Sequence, residues 1–381
     1  MTRERVLIIG GGIAGASIGS ELATDHDVIL LEAERSLGLH STGRSAALFM
    51  IGYGPASVQE LTRRSEAEFT RLSALPGMPP LLTPRGGLFT AWDGPTAAAL
   101  ASMIARHSFM RELTTEQALG LCPVLRAGDV AACGYDPDTR DIDVSALHAY
   151  YASALRGRGG QIVTSARFVA ATRRACGWEV RTEDGRRWHG DALVNAAGAW
   201  GDEVAELCAG AAHGLSPRRR TVVIASPGRP VAADWPVVAD LAETWYFKPE
   251  AGALLMSPGD ETEVRPGNVR PDPLDVALTL ERVNAATTLA LRSVRTSWAG
   301  LRTFAPDRLP VVGPHPDEPA LFSFVGQGGY GVQMAPALAQ AGAELFRTGT
   351  LADAALAASI APGRLRSPGP SASPASLAPG A

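Results

Sequence analysis

Three glycines in GxGxxG spacing, Gly10, Gly12 and Gly15, followed by an acid, Glu32, about 20 residues on, are suited to holding a dinucleotide. Gly10 permits a tight turn, Gly12 lets the backbone approach a pyrophosphate, and Gly15 lets a helix lie close to the preceding strand. Ile13 and Ala14 then fall in the first turn of that helix, where free amides face phosphate. Glu32, with Ala33 behind it, is placed to accept both ribose hydroxyls and would repel a 2'-phosphate, so FAD or NAD is expected rather than NADP. A second polar group follows. Ser41, Thr42 and Ser45, with Arg44 and Ala46, read as the start of a helix that either holds a pyrophosphate or is simply capped. Near the end of the chain, Gly326, Gly328, Gly329, Tyr330, Gly331 and Val332 form glycine-rich backbone ahead of a helix expected at 332–346, with its positive end aimed at whatever lies in front.

The elements that must position these groups follow from periodicity. Val6 to Ile9 is a short apolar run suited to a buried parallel strand, and Val28 to Leu31 is the second strand of a βαβ unit. Residues 55–75 read as a surface helix. TPRGGLFTAW, VVIASPG, TWYFKPEAGALLMSPG and TSWAGLRTF read as strands broken by Gly and Pro, which suggests an antiparallel sheet. Between them lie a helix at 144–156, strands at 161–164, 177–181 and 187–189, a parallel strand at 191–195 closed by Gly198, and a helix from Asp202. The expected class is α/β: a discontinuous Rossmann-like cofactor domain (1–78, 141–215, 306–361) and an antiparallel substrate domain (79–140, 216–305). The Pro/Ser/Ala-rich tail 362–381 is expected to be disordered.

Composition narrows the class. The chain has 381 residues, 46% of them hydrophobic, which is enough for a large core, and a net charge of −4 gives no basic tract for nucleic acid. No window supplies the roughly 18 apolar residues of a membrane span. The basic start is not a secretory signal, because three glycines break its apolar run. Cys122, Cys133, Cys176 and Cys208 lack CxxC spacing, so no zinc site or disulfide framework is indicated; buried free thiols and a cytoplasmic location are expected.

Six segments together resemble the glycine oxidase/D-amino-acid oxidase family of flavoproteins, and within it the bacterial D-arginine dehydrogenase type. They are GGGIAGAS (10–17), GLHSTGRSAALF (38–49), DPDTRDIDVSALH (136–148), VNAAGAWGD (194–202), SWAGLRTFAPDRLPVVG (297–313) and VGQGGYGVQ (325–333). The resemblance implies FAD, with Gly198 and Trp200 close to the cofactor, Phe168 at the adenine, and the glycine-rich loop at the flavin N1/O2 edge; noncovalent attachment is expected, with covalent attachment the alternative because His40 lies near the flavin in this layout.

For the substrate, the resemblance implies that Arg302 binds a carboxylate, a task suited to a rigid fork of donors, with Tyr53, Tyr246 and Arg220 lining the same pocket. Two positions depart from the D-arginine-oxidising pattern: Gly87 stands where a glutamate receives the basic side chain, and Leu48 where a histidine stands. A neutral or apolar D-amino acid is therefore expected over D-arginine, since an unpaired buried cation is costly. Oxidation would proceed by hydride transfer from Cα to flavin N5, giving an imine that hydrolyses to a 2-oxo acid and ammonia. N-alkyl amino acids or 2-hydroxy acids are alternative substrates, and a non-catalytic flavin-binding protein is a further alternative. O2 and quinone remain open as electron acceptor, as does peripheral membrane contact. Lys248, the sole lysine, shares strand parity with Tyr246, so it either faces the flavin or is solvated.

Overall fold

The computed structural model describes residues 3–366. Its first strand, β1 (Arg5–Ile9), leads through the glycine turn into helix α1 (Ile13–Leu22), and the chain returns as strand β2 (Asp27–Leu31). These strands are buried on both faces, and their alternation divides the core. Val6, Ile8, Val28 and Leu30 join the cluster containing Ile18, Leu22, Phe324 and Leu338. Leu7, Ile9, Ile29 and Leu31 join Trp178, Val180 and Val204 on the other face.

β1 and β2 are central to a six-stranded sheet whose order runs Val311–Pro314, Leu321–Val325, Ala192–Asn195, β1, β2, Gln161–Val163. All neighbours are parallel except the edge pair Val311–Pro314 and Leu321–Val325. Helices Val144–Gly157 and Ala335–Thr348 pack against α1 on one face, and a three-stranded antiparallel sheet spanning Phe168–Gly190 covers the other. The last of these helices begins at Ala335, three residues later than expected, because residues 329–334 are spent in turns, and Pro336 lies in its first turn.

The second large sheet has nine strands. Ser216–Ala225 runs antiparallel to both Val294–Phe304 and Ala253–Ser257, and Tyr246–Glu250 and Val237–Asp240 continue the sheet. Val237–Asp240 then pairs in parallel with Gly87–Ala91, so the sheet is mixed rather than purely antiparallel. That parallel seam joins two segments remote in sequence, where no hairpin dictates direction. Helices Gly94–Arg106 and Pro273–Ala286 add to the expected elements; Asp93 and Thr96 form a capping box on the first, and Asp272 caps the second ahead of a first-turn proline.

Residues 362–366 correct the expectation of a disordered tail. They form a short 3-10 helix with Pro362 buried, and Arg364 binds Asp307 at 2.7 Å and the Leu309 carbonyl at 2.9 Å. The rest of that segment, 367–381, lies outside the described residues. Cys122 and Cys133 are buried, but Cys176 is exposed and Cys208 only half-buried, because the latter two sit on a hairpin turn and a surface helix. Among the described residues no helix is long and apolar enough to cross a membrane.

Candidate active site

A cavity of about 470 Å³ runs from the end of β2 to the face of the nine-stranded sheet that carries Arg302. At one end, Gly10 takes φ +108°, and α1 opens at Gly12, which has no side chain of its own to cap the helix; Gly12, Ile13 and Ala14 line the cavity. A Cβ on Gly12 would meet only Thr42 Oγ1, at 3.2 Å, so the open space in front belongs to a ligand. Glu32 accepts from the Gly11 amide at 2.7 Å and the Glu34 amide at 2.8 Å, and each oxygen keeps a lone pair for a ribose hydroxyl. Gly11 was not singled out among the three glycines, yet a Cβ there would lie 2.5 Å from Leu37 Cδ2 and 2.9 Å from Glu32 Oε2. His148 Nε2, 2.9 Å from the Gly11 carbonyl, braces the same turn from the helix behind.

Ala33, His40, Ser41, Thr42, Ser45, Ala46, Phe168, Gly198, Trp200, Gly326, Gly328, Gly329, Gly331 and Val332 also line this cavity. Three expected cofactor residues are placed differently. Gly15 lies outside the wall: its missing Cβ would stand 1.8 Å from the Gly10 carbonyl oxygen, so it serves the close strand–helix packing alone. Tyr330 is turned into the core against Tyr53 and Phe304, under the Arg302 guanidinium. Arg44 borders the cavity, but its guanidinium binds the Ala299 and Val269 carbonyls and Asn268. The segment around it is a single 3-10 turn, Thr42–Arg44, rather than a helix start, and Thr42 Oγ1 accepts from the Ile13 amide at 3.0 Å. His40 Nε2 lies 3.1 Å from Glu34, with its ring against Trp200.

At the other end the strand Val294–Phe304 sets Arg302 opposite Arg218 and Gly300 opposite Arg220, while the short strand Gln327–Gly328 pairs with Thr303 and Phe304. The glycine-rich loop is thereby tied to the sheet bearing the arginine. The Arg302 guanidinium lies flat on Gly329, where an added Cβ would come within 1.8 Å of Nη2. Arg302 donates to Tyr53 Oη at 2.8 Å and to Glu261 Oε1 at 3.1 Å. Burial opposes its charge, but Tyr53, Tyr330 and Glu261 outweigh that and hold its pKa above the ordinary value. Burial likewise raises the pKa of Tyr53, which stays a neutral donor.

Arg220 reaches the cavity while its neighbour Arg219 points the opposite way, to Asp260 and Asp275; strand parity thus excludes Arg219, and of Arg218 and Arg220, which share a face, it is Arg220 that lines the cavity. Tyr246 and Leu48 line the chamber with Met50, Phe89, Met103, Phe109, Met110 and Leu241, an apolar wall that the motifs did not reveal. Its side chains come from four separate segments of the chain, which no local pattern connects. Asp136 and Asp240 also border it, but their carboxylates serve their own turns: Asp136 accepts from Thr139 Oγ1 and the Asp138 amide, Asp240 from Thr244. Exposed Glu243 stands at the rim, 3.5 Å from Tyr53 Oη.

Two expectations at this end are corrected. Gly87 does not line the cavity; a side chain there would point at Thr139 Oγ1, 2.8 Å away, and at Phe89. Lys248 neither faces the cavity nor is solvated, because its ammonium is buried on Asp141 at 2.6 Å.

The two halves of the cavity, a dinucleotide cradle and a wall carrying the Arg302–Tyr53 pair, face one another, the arrangement of an oxidoreductase that works with a nucleotide cofactor. The chain belongs to the DAO family of FAD-dependent oxidoreductases, whose model matches residues 5–345. It is 27% identical over 350 residues to human mitochondrial dimethylglycine dehydrogenase, covering 82% of this chain and 39% of that protein. The chain thus spans about two fifths of the length of the curated relatives it matches first. Among solved structures it is similar in fold to L-proline dehydrogenase from P. horikoshii (TM-score 0.80, 20% identity, 92% of this chain and 95% of that one). Glycine oxidase from Geobacillus kaustophilus is comparable (TM-score 0.79, 23% identity, 92% and 96%).

The wall fits FAD. Besides the α1 terminus, whose glycine N-cap has no side chain of its own, four cavity residues carry buried polar atoms with no protein partner: His40 Nδ1, Thr303 Oγ1, Gln327 Nε2 and Gln333 Nε2. Orphan donors and acceptors of this kind are costly unless a ligand meets them. Gln327 and Gln333 were not anticipated, although both lie within the glycine-rich motif.

Proposed function

We propose that the protein oxidises the C–N bond of an amino acid whose substituents are neutral and apolar, with D-amino acids of apolar side chain as the first substrate class. The observation that carries this is the Arg302–Tyr53 pair, set at the cavity beside a chamber walled by Leu48, Met50, Phe89, Met103 and Met110. Arg302 offers a fork for the carboxylate. Tyr53 accepts from Arg302 through its oxygen and donates to Glu243 at 3.5 Å; a bound substrate would take that donor for the same carboxylate. Glycine-loop backbone and the chamber wall then hold the α-carbon, and positioning of this kind supplies much of the rate. FAD, when bound, supplies the two-electron oxidant for the C–H bond next to nitrogen. The substrate leaves as an imine, which water converts to a 2-oxo acid and ammonia, or to an amine where the nitrogen was alkylated.

The D configuration is supported by the six-segment resemblance. N-alkyl amino acids are the second substrate class, favoured by the sequence similarity to a dimethylglycine dehydrogenase. The roles given to Arg302, Tyr53, Tyr246, Arg220 and the cofactor wall are part of the same proposal. The test is anaerobic bleaching of the bound flavin by D- and L-leucine, D-phenylalanine, D-arginine, N-methylglycine, N,N-dimethylglycine and 2-hydroxy acids. Reduction by apolar D-amino acids ahead of D-arginine is expected. Reduction only by 2-hydroxy acids would overturn the amine reading, and O2 uptake set against quinone reduction then assigns the acceptor.

A further inference from the structure

Glu261 lies outside the cavity, yet every guanidinium around the carboxylate site converges on it. Its Oε1 accepts from Arg302 Nη1 at 3.1 Å, from Arg220 Nη2 at 3.1 Å and from Arg308 Nη2 at 3.0 Å, and its Oε2 accepts from Arg308 Nη1 at 3.0 Å, with Arg218 Nη1 3.8 Å from the same oxygen. Arg302 and Arg220 line the cavity; Glu261 and Arg308 do not.

The loop bearing Glu261 is pinned to the strand bearing Arg220. The Arg219 amide donates to the Thr262 carbonyl, the Val264 amide to the Pro217 carbonyl, and Asp260 accepts from both the amide and hydroxyl of Thr221. Arg308, in turn, holds Glu261 with two bonds from a backbone at φ +63°, with its guanidinium 3.8 Å from the Phe304 ring centre. Left-handed backbone at a large residue costs about 1–3 kcal/mol and persists where surrounding contacts demand it. Here it aims the guanidinium across Phe304 at Glu261.

We infer that Glu261, locked by Arg308, is a positioning residue that holds Arg302 and Arg220 in one orientation as a two-arginine clamp for the substrate carboxylate. Two cations left close together without it would separate to reduce repulsion, and Arg302 would lose the contact that sets its fork relative to Tyr53. Burial opposes the charge of Glu261, but its bond to Arg308 and the fields of Arg302, Arg308 and Arg220 outweigh that and pull its pKa below the usual carboxylate range, so it remains anionic at neutral pH. This rests on the proposed carboxylate role of Arg302.

The test uses FAD-loaded full-length protein and two readouts: the KM and kcat for an apolar amino acid, and the Kd of butanoate, an unreactive carboxylate, followed through the flavin absorbance spectrum. Glu261→Gln keeps one acceptor but turns an amide donor toward Arg308, and both KM and the butanoate Kd should rise about tenfold with kcat within about threefold. Glu261→Ala should raise both about a hundredfold. Arg308→Gly removes the outer anchor and relieves the left-handed backbone, so the fold is kept while both constants rise about fivefold. Constants within twofold of the parent in Glu261→Gln and Arg308→Gly, or a fall in kcat alone, would overturn the inference. The butanoate measurement needs no turnover: weakened butanoate binding in a protein that oxidises no amine supports the clamp while refuting the proposed reaction.

Discussion

Arg302→Ala is the perturbation with the largest expected effect. The guanidinium is 11% exposed, lies flat on Gly329, and sits 5.4–6.0 Å from the ring centres of Phe304, Tyr330 and Tyr53, so its field acts in a largely desolvated setting. Removing one partner of a buried, paired charge costs about 3–5 kcal/mol, and at about 1.4 kcal/mol per tenfold this is roughly 150- to 5,000-fold in kcat/KM for a carboxylate substrate. Tyr53 Oη also loses its 2.8 Å donor, which adds to the loss of order rather than replacing it. Arg302→Lys should recover little, because a single ammonium cannot bind Tyr53, Glu261 and a carboxylate in one plane. FAD content should be unchanged, since α1 and Glu32 are remote from the substitution. The assay is steady-state kinetics with an apolar amino acid, alongside flavin content and thermal unfolding to separate lost binding from lost fold. A kcat/KM within about threefold of the parent would show that Arg302 does not bind substrate.

Gly329→Ala places a methyl group within 1.8–2.1 Å of the Arg302 guanidinium, so the guanidinium must move; KM should rise at least about tenfold, and an unchanged KM would refute the contact. Gly12→Val should keep the fold, because only Thr42 Oγ1 is near the new Cβ, but should lose FAD on dialysis; flavin retained at the parent level counts against the cradle. Gly87→Glu should lower Tm without moving preference toward D-arginine, because Gly87 does not line the cavity and its new side chain meets buried Thr139; a shift toward basic substrates in kcat/KM would show the wall to be wrongly placed. Burial, aided by His315, lowers the His213 pKa to about 4. The unfolded chain binds that proton near pH 6.5 and the folded one does not, so His213's contribution is present above pH 6.5 and is lost as pH falls to about 4, to a total of roughly 3 kcal/mol. Denaturant unfolding across that window should show a flatter pH dependence in His213→Gln, and an unaltered slope would exclude His213 as its source.

The cofactor half of the cavity was legible in the sequence because its constraints are local. A strand, a positive-φ glycine, a helix opening on glycine and an acid ending the next strand all fall within Val6 to Glu32, and each is required by backbone geometry that few other residues satisfy. Arg302, Tyr53 and Tyr246 were reached through resemblance, and the structure gathers all three on one cavity. What only the tertiary structure decided is which face of each element meets that cavity. Strand parity relates Tyr246 to Lys248 and Arg220 to Arg218, but the pairing of those strands with residues up to 88 positions away, and of the neighbouring Val237–Asp240 with residues 150 positions away, determines what each side chain finds there. Hence Lys248 ends on Asp141, Gly87 turns to Thr139, and Tyr330 turns beneath Arg302. Glu261 had no motif to mark it. Its importance arises because four arginines separated by up to 90 positions converge on one carboxylate, a long-range electrostatic choice that spacing along the chain does not encode.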